Sequence, residues 1–319
     1  MGQRVVLRRL VPGETGPTGG PAFTDLLGEL LAWDDREAVL RTADGTVHRV
    51  DVGLVVSGKP VPPRPSPRMR VSAEQLQHAA ARSFPAGVRE PLGSWLLRDD
   101  VDVDPYTRDG RRVARRTSAL AVGDPGLPLG EAVDVVRRWY AARARRPWAS
   151  VVDGSDAAAA FADAGWAPAR AEAPTETWVG SVPQVLRRLE TYARDDVVLT
   201  AADDPNDADL RVHEAVVPSP DGPAHPAWAR GRCAVDPADP DTVGILGLAS
   251  STHARRRGLA RGVIHALLGA AAETGARTVW LHVLADSDPA TSLYASMGLA
   301  PHHRTRYLAA PEDGTMAAR

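Results

Sequence analysis

Residues 243–275 read VGILGLASSTHARRRGLARGVIHALLGAAAETG, and the fold turns on how this stretch divides. It opens as an apolar run, Val243, Ile245, Leu246 and Leu248, short enough for a buried strand. A polar turn over 250–254 leads into Arg255, Arg256, Arg257, Gly258, Leu259 and Ala260. From Leu259 onward Val263, Ile264, Leu267, Leu268, Ala271 and Ala272 fall on one helical face, and Gly275 is a natural stop. The order is strand, basic glycine-containing turn, helix. Such a turn directs unpaired backbone N–H groups and a helix start at one point, which suits a phosphate or pyrophosphate, and the arginines add positive charge beside it. Neither the Gly-Lys-Ser/Thr of a P-loop nor G-x-G-x-x-G is present.

The chain has 319 residues, 44% of them hydrophobic and 24% charged, room for two or three domains of ordinary globular composition. No apolar run approaches a membrane span and the first residues lack a signal-peptide core, so the expectation is a cytoplasmic protein with no membrane partner. Cys233 is the single cysteine, which excludes a disulfide framework and fits a reducing compartment. No cluster of His, Asp and Cys has metal-ligand spacing, so no metal is expected. The formal charge of -2 gives no nucleic-acid footprint. Arginine carries almost all the basic charge, Lys59 being the one lysine, and this bias weakens any argument from an arginine cluster alone.

Working outward, residues 1–58 read as five short strands separated by turn signals at Asp34-Asp35 and Asp44-Gly45, with a Gly/Pro/Thr-rich loop over 12–21. The pattern resembles an SH3-like β-barrel. Residues 59–70 form a proline-rich linker. Ser72 caps a helix carrying Leu76, Ala79, Ala80 and Phe84. Strands at 94–98 and 118–123, a helix at 131–143, a strand at 148–153 and a helix from Ser155 to Ala164 follow. A strand at 177–180 is expected to close a first half, 71–180. A second half, 181–308, holds a helix from Ser181, strands at 211–217 and 227–235, the opening stretch, a strand at 278–284 and a helix at 289–297. Residues 309–319 form a tail.

The two halves share an order of elements, and Phe161-Ala-Asp-Ala-Gly165-Trp-Ala-Pro168 aligns without gaps with Tyr294-Ala-Ser-Met-Gly298-Leu-Ala-Pro301. Such repetition reads as duplication. In place of the three arginines and Gly258 the first half has Asp124-Pro-Gly-Leu-Pro-Leu-Gly130, whose Asp124 would repel a phosphate. In place of Tyr294 it has Phe161, which has no hydroxyl. The first half reads as a scaffold and the second as the cofactor-binding half.

Arg255-Arg256-Arg257-Gly258-Leu259-Ala260 resembles the Arg/Gln-x-x-Gly-x-Gly/Ala signature of the GNAT N-acetyltransferase superfamily, and Ser287 through Leu293-Tyr294-Ala-Ser-Met-Gly298-Leu299 resembles its later Asn…Leu-Tyr-x-x-x-Gly-Phe segment. Ser287 stands where the family usually has Asn, and Leu299 where it has Phe. The resemblance implies an α/β (α+β) tandem GNAT fold of actinobacterial type, a central mixed sheet flanked by helices behind a small SH3-like barrel. It implies acetyl-CoA as cosubstrate, its pyrophosphate on Arg255, Arg256, Arg257, Gly258, Leu259 and Ala260. Its pantetheine arm would lie along the backbone of Leu248, Ala249 and Ser250 and near Ser287. Tyr294 is similar in position to the tyrosine that protonates the leaving thiolate. Its phenol, with a pKa near 10, is roughly balanced against a thiol near 8.5. Glu214, Asp236 and His282 are the candidates for the base that deprotonates the incoming ammonium, with a water chain as a further route. His253 fits better beside the phosphate.

The leading expectation is an acetyl-CoA-dependent N-acetyltransferase acting on a small-molecule or peptide amine by direct attack in a ternary complex, as a monomer or homodimer. The alternative is a non-catalytic acyl-CoA sensor or scaffold that uses its N-terminal barrel for a partner.

Overall fold

Alternation of buried Val5 and Leu7 with exposed neighbours makes β1 (Arg4–Thr15) one layer of an antiparallel sheet with β2 (Pro21–Trp33), β3 (Glu37–Arg41), β4 (Val47–Asp51) and β5 (Val55–Pro60). The order is β4-β3-β2-β1-β5, and Val5, Leu7, Ala38, Leu40 and Val50 form its core. The structure is a computed structural model that describes residues 4–16, 19–42, 45–61, 71–84, 86–100, 114–169, 174–204, 207–222 and 224–311. It divides into two compact units, Met1–Pro67 and Arg68–Arg319. Two expectations change in the first unit. The loop expected over 12–21 is shorter, because β1 continues to Thr15 through Gly13 at φ +84°. Lys59 and Pro60 belong to β5, and the rest of the expected linker, 62–70, lies outside the described residues.

The second unit is built on one long mixed sheet. Its strands are β6 (Val88–Leu92), β7 (Trp95–Asp99), β8 (Ala119–Ala121), β9 (Trp148–Val152), β10 (Ala167–Pro168), β11 (Thr175–Ser181), β12 (Val198–Asp204), β13 (Asp207–Val217), β14 (Ala229–Asp236), β15 (Asp239–Ser250), β16 (Thr278–Leu284) and β17 (Ala300–Ala309). They run in the order β12-β13-β14-β15-β16-β11-β17-β9-β8-β7-β6, with β10 paired to β17. Two pairs are parallel, β8 with β9 and β15 with β16.

Helices cover both faces. On one lie α2 (Leu129–Ala141), α3 (Asp156–Asp163), α4 (Val182–Leu189), α5 (Leu259–Glu273) and α6 (Asp288–Ser296). Val133, Val136 and Phe161 pack there on Trp95 and Leu97, and Val185, Val263 and Leu267 on Cys233, Val243 and Ile245. The other face carries α1 (Ala73–Ser83), whose Leu76 and Ala80 pack on Val179, Val212, Ala234, Leu246 and Trp280. Burying Leu76 alone contributes roughly 1.5–3 kcal/mol. A capping box fixes where α1 starts: Ser72 Oγ accepts from Gln75 N at 3.0 Å, and Gln75 Oε1 accepts from Ser72 N at 2.8 Å. The Arg82–Asp236 ion pair, 2.5 Å, ties its last turn to the end of β14.

Strand β11 departs from expectation. Its apolar run looks like the closing strand of the first half, yet it pairs with β16 on one side and β17 on the other, inside the second half's sheet. The exchange makes the sheet continuous, since β17 in turn pairs with β9. Strands β6, β12 and β17 were not foreseen. The cores of β6 and β17, Arg89-Glu90-Pro91 and His302-His303-Arg304, hold no apolar run to read, while β12 opens on the short exposed stretch Val198-Leu199.

At Gly244 an added Cβ would stand 2.4 Å from the fully buried Trp280 indole. Gly244→Ala is expected to destabilise the second unit by about 1–3 kcal/mol, the usual cost of overpacking, read as a lower urea midpoint with unchanged m-value.

Candidate active site

Strands β15 and β16 run parallel through Thr242–Thr278, Val243–Val279, Gly244–Trp280 and Ile245–Leu281, and there the pairing stops. The cause is local. Between β14 and β15 the register steps from Arg232–Leu246 to Arg230–Ala249, leaving one extra residue on β15. Gly247 sits in that bulge at φ +58°, and a bulged strand bends. Beyond the bulge, which takes in Gly247 and Leu248, Ala249 and Ser250 stay paired to β14 but have left β16, so the sheet splits at the carboxyl ends of its parallel strands. Open α/β sheets take their ligands at such a place.

The chain leaving β15 forms a single turn over Thr252–Ala254 and then enters α5. Arg256 at φ +63° and Gly258 at φ +75° are both left-handed. Residues alternating in this way turn successive N–H groups to one side, as anion-binding nests do. No protein acceptor is recorded among the described residues for the backbone N–H groups of Arg256, Arg257, Gly258, Leu259 and Ala260. Gly258 is needed for space as well, since an added Cβ would meet the Tyr192 ring at 2.9 Å. Arg255, Arg256 and Arg257 are exposed while Leu259 is buried in the core. The Arg257 guanidinium lies over Trp228 at 4.7 Å, and Arg261 over Tyr192 at 5.0 Å. Neither aromatic was foreseen as part of the site, because each lies far from the turn in sequence.

Ser287 precedes α6, and its hydroxyl makes no cap bond. Tyr294, in the second turn of that helix, is buried against Trp178 of β11 at a ring separation of 6.5 Å. Burial raises its phenol pKa above the ordinary value of 10, so the hydroxyl holds its proton. The sheet therefore brings Leu248, Ala249, Ser250, Ser287 and the α5 turn to the same end, with Tyr294 on the helix that follows β16.

The candidate bases have separate surroundings. Asp236 is engaged by Arg82 and by the Ala238 N–H. Glu214 is half-buried on β13, two strands away from β15. His282 follows the last β15–β16 pair and points toward α1. It belongs to a polar cluster with Gln77, Thr177 and His303, in which Gln77 Nε2 donates to Thr177 Oγ1 at 3.1 Å and to His303 Nε2 at 2.9 Å. Since Gln77 Nε2 only donates, His303 carries its proton on Nδ1, facing His302 Nδ1 at 2.7 Å, and His302 donates from Nε2 to the Val71 carbonyl at 2.8 Å. Burial holds the His282 pKa well below 6.5, with Arg115 and His303 adding to the effect. Cys233 is sealed in the core, its thiol pushed up to about 12 by burial. It has no nucleophilic role.

Residues 72–308 match the family described as "Probable histone acetyltransferase Rv0428c C-terminal", and residues 1–59 match "Rv0428c N-terminal Sm-like domain". The "Probable histone acetyltransferase Rv0428c" of Mycobacterium tuberculosis (strain ATCC 25618 / H37Rv) is 28% identical over 333 residues, covering 98% of this chain and 97% of its own. A GCN5-related N-acetyltransferase from Kribbella flavida superposes with a TM-score of 0.51 at 17% identity, covering 77% of this chain and 98% of its own. A tandem GNAT protein from the clavulanic acid biosynthesis pathway gives a TM-score of 0.45 at 14% identity over 58% of this chain and 69% of its own. The Kribbella likeness is one of fold. The first unit, expected as an SH3-like barrel, is corrected to Sm-like: five short strands with tight turns specify a small antiparallel sheet without saying which kind.

The histidine cluster carries a pH dependence. Burial, helped by the neighbouring His302, lowers His303 to about 4 from 6.5. A depressed histidine favours the neutral form in the folded state, so its stability contribution is complete above pH 6.5 and is lost as pH falls toward 4. Urea midpoints measured across that window are expected to fall with pH, and His303→Gln should flatten the slope.

Proposed function

The chain belongs to the family described as "Probable histone acetyltransferase Rv0428c C-terminal", and from that premise we propose that it is an acetyl-CoA-dependent N-acetyltransferase for a primary amine. The observation that carries this reading is the split of β15 from β16 joined to the run of unpaired N–H groups at the start of α5. The residues fit the cosubstrate in kind. The amides of Arg256 through Ala260, with the α5 N-terminus and exposed arginines around them, suit a pyrophosphate. The freed edge of Leu248, Ala249 and Ser250 offers backbone partners to the amides of a pantetheine arm. Ser287 would add a hydroxyl able to donate or accept.

Bound acetyl-CoA would supply an activated acetyl group, and the amine would attack it directly in a ternary complex. The chain's own task is then positioning and proton management. Tyr294 keeps its proton because it is buried, and would give it, or a strong hydrogen bond, to the departing thiolate. A thiolate shielded from water would also gain proton affinity, which keeps the transfer near balance. The ammonium proton is less well served. Asp236 is committed to Arg82, and His282 is too weakly basic to hold that proton, so we assign its removal to water at the mouth of the split.

The Phe161–Tyr294 correspondence and the two parallel pairs, β8–β9 and β15–β16, support a duplicated ancestry with division at about 180, in which the first half is scaffold. Phe161 is wholly buried between Trp95 and Trp166, a packing role.

Calorimetry is expected to show acetyl-CoA binding that weakens by tenfold or more in Arg256→Ala/Arg257→Ala; undiminished affinity would remove these residues from the site. Tyr294→Phe should lower kcat by about 10²-fold or more, the range of a positioned acid, with cosubstrate affinity nearly unchanged. Full turnover in that variant would reduce Tyr294 to packing, and binding without turnover in the unaltered protein would favour the sensor reading.

A further inference from the structure

On the α1 face of the sheet lies a cavity of about 20 Å³, above the ~10–15 Å³ that a single water needs. Its floor crosses the seam between the halves: His282 on β16, Thr175 on β11, Thr305 and Tyr307 on β17, Ser150 on β9 and Arg98 on β7. The pairings Thr175–Thr305, Tyr307–Ser150 and Ser150–Leu120 put these side chains on one face. Gln77 and Phe84 of α1 form the roof, and Arg115 closes one side.

Among the described residues the charges here do not balance. Arg98 is only 4% exposed. Its recorded bonds run to the Ser118 carbonyl at 2.9 Å and the Ser118 hydroxyl at 3.3 Å, both neutral acceptors. Among the described residues no carboxylate lies within ion-pair distance of Arg98 or Arg115, and the nearby Asp99 and Asp100 are engaged by Arg145 and Arg116. Arg115 is held over the Phe84 ring at 4.7 Å, a second cation on the same cavity. Burying one guanidinium without an anion is costly, and setting another beside it adds repulsion. Burial lowers the Arg98 pKa, with Arg115 adding a little and Tyr307 and Tyr140 acting against it. Around the two cations stand hydroxyl side chains, Ser150, Thr175, Thr305 and Tyr307, which suit an anion as further donors.

The cavity also has a position. His282 lines it and stands on β16 immediately after the last pair with β15, at the split. The α5 turn and Tyr294 lie on the opposite face of the sheet.

We propose that this cavity binds the carboxylate of the acceptor, so that the amine acetylated is one that carries a carboxylate, an amino acid or the terminus of a short peptide, with Arg98 and Arg115 as its anchors. The inference rests on the acetyltransferase reading above. A charge-assisted bond is worth about 1.5–3 kcal/mol, which converts to roughly tenfold or more in kcat/KM.

The test is a set of matched acceptors, each amino acid beside its carboxamide, assayed with acetyl-CoA. The free acids are expected to be preferred at least tenfold, and Arg115→Gln, at a half-exposed position, should bring that ratio toward one. Arg98→Lys keeps a charge in the cavity and should retain part of the preference, where Arg98→Met would abolish it. Acetyl-CoA calorimetry on each variant serves as the folding control. Turnover of acids and carboxamides at equal rates, with acetyl-CoA binding intact, overturns this proposal and leaves the acetyltransferase reading standing. Failure of the unaltered protein to bind acetyl-CoA overturns that reading, and this proposal with it. Succinate that binds by calorimetry yet fails to compete with the acceptor marks the cavity as an effector site and also overturns the assignment.

Discussion

One bulge decides what the second unit is able to do. A parallel sheet satisfies its backbone groups pair by pair, and a continuous one leaves no edge for a ligand in its interior. The extra residue at Gly247 bends β15 away after Ile245–Leu281, so the main chain beyond it keeps one neighbour and loses the other. The chain then re-enters helix α5 through two left-handed residues, and that turn leaves further N–H groups unpaired. Unsatisfied donors are normally avoided; gathered at one end of a sheet, they suit the proposed cosubstrate, which is rich in acceptors.

The rest of the unit holds this opening rigidly. Leu259, Val263 and Leu267 anchor α5 on the strands behind the turn, and Trp178 of β11 packs against Tyr294. Strand β11 is the keystone of the arrangement. By standing between β16 and β17 it fixes the far side of the split and joins the two halves' strands into one sheet. The α1 face has another character. There a polar cluster around Gln77, the buried Arg98 and the half-exposed Arg115 replace the apolar packing found under the other five helices.

Much of this was legible in the sequence. The 3.6-residue stripe of α5, the capping residues Ser72, Ser155 and Ser181, and Gly275 as a stop are local signals, and local signals survive folding. Strands β6 and β17 were not legible because their cores are polar or proline-bearing, and β12, though it opens on Val198-Leu199, is exposed there and takes its conformation from pairing with β13. The kind of small sheet at the N-terminus is not encoded locally for a related reason: strand lengths and turns are shared by several kinds of small antiparallel sheet.

By itself the sequence determined the strand, turn and helix of residues 243–275, the glycine at 258 in that basic turn, and the contrast between Tyr294 and Phe161. Each depends on residues within one or two turns of chain. Tertiary structure decided the exchange of β11, the end of pairing at Ile245–Leu281, and the meeting of Arg98, Arg115, His282, Thr305 and Ser150 around one cavity. Those residues come from separate strands and a loop with no spacing to connect them. Their association is fixed by sheet register and by α1 lying across it, which only the folded chain contains.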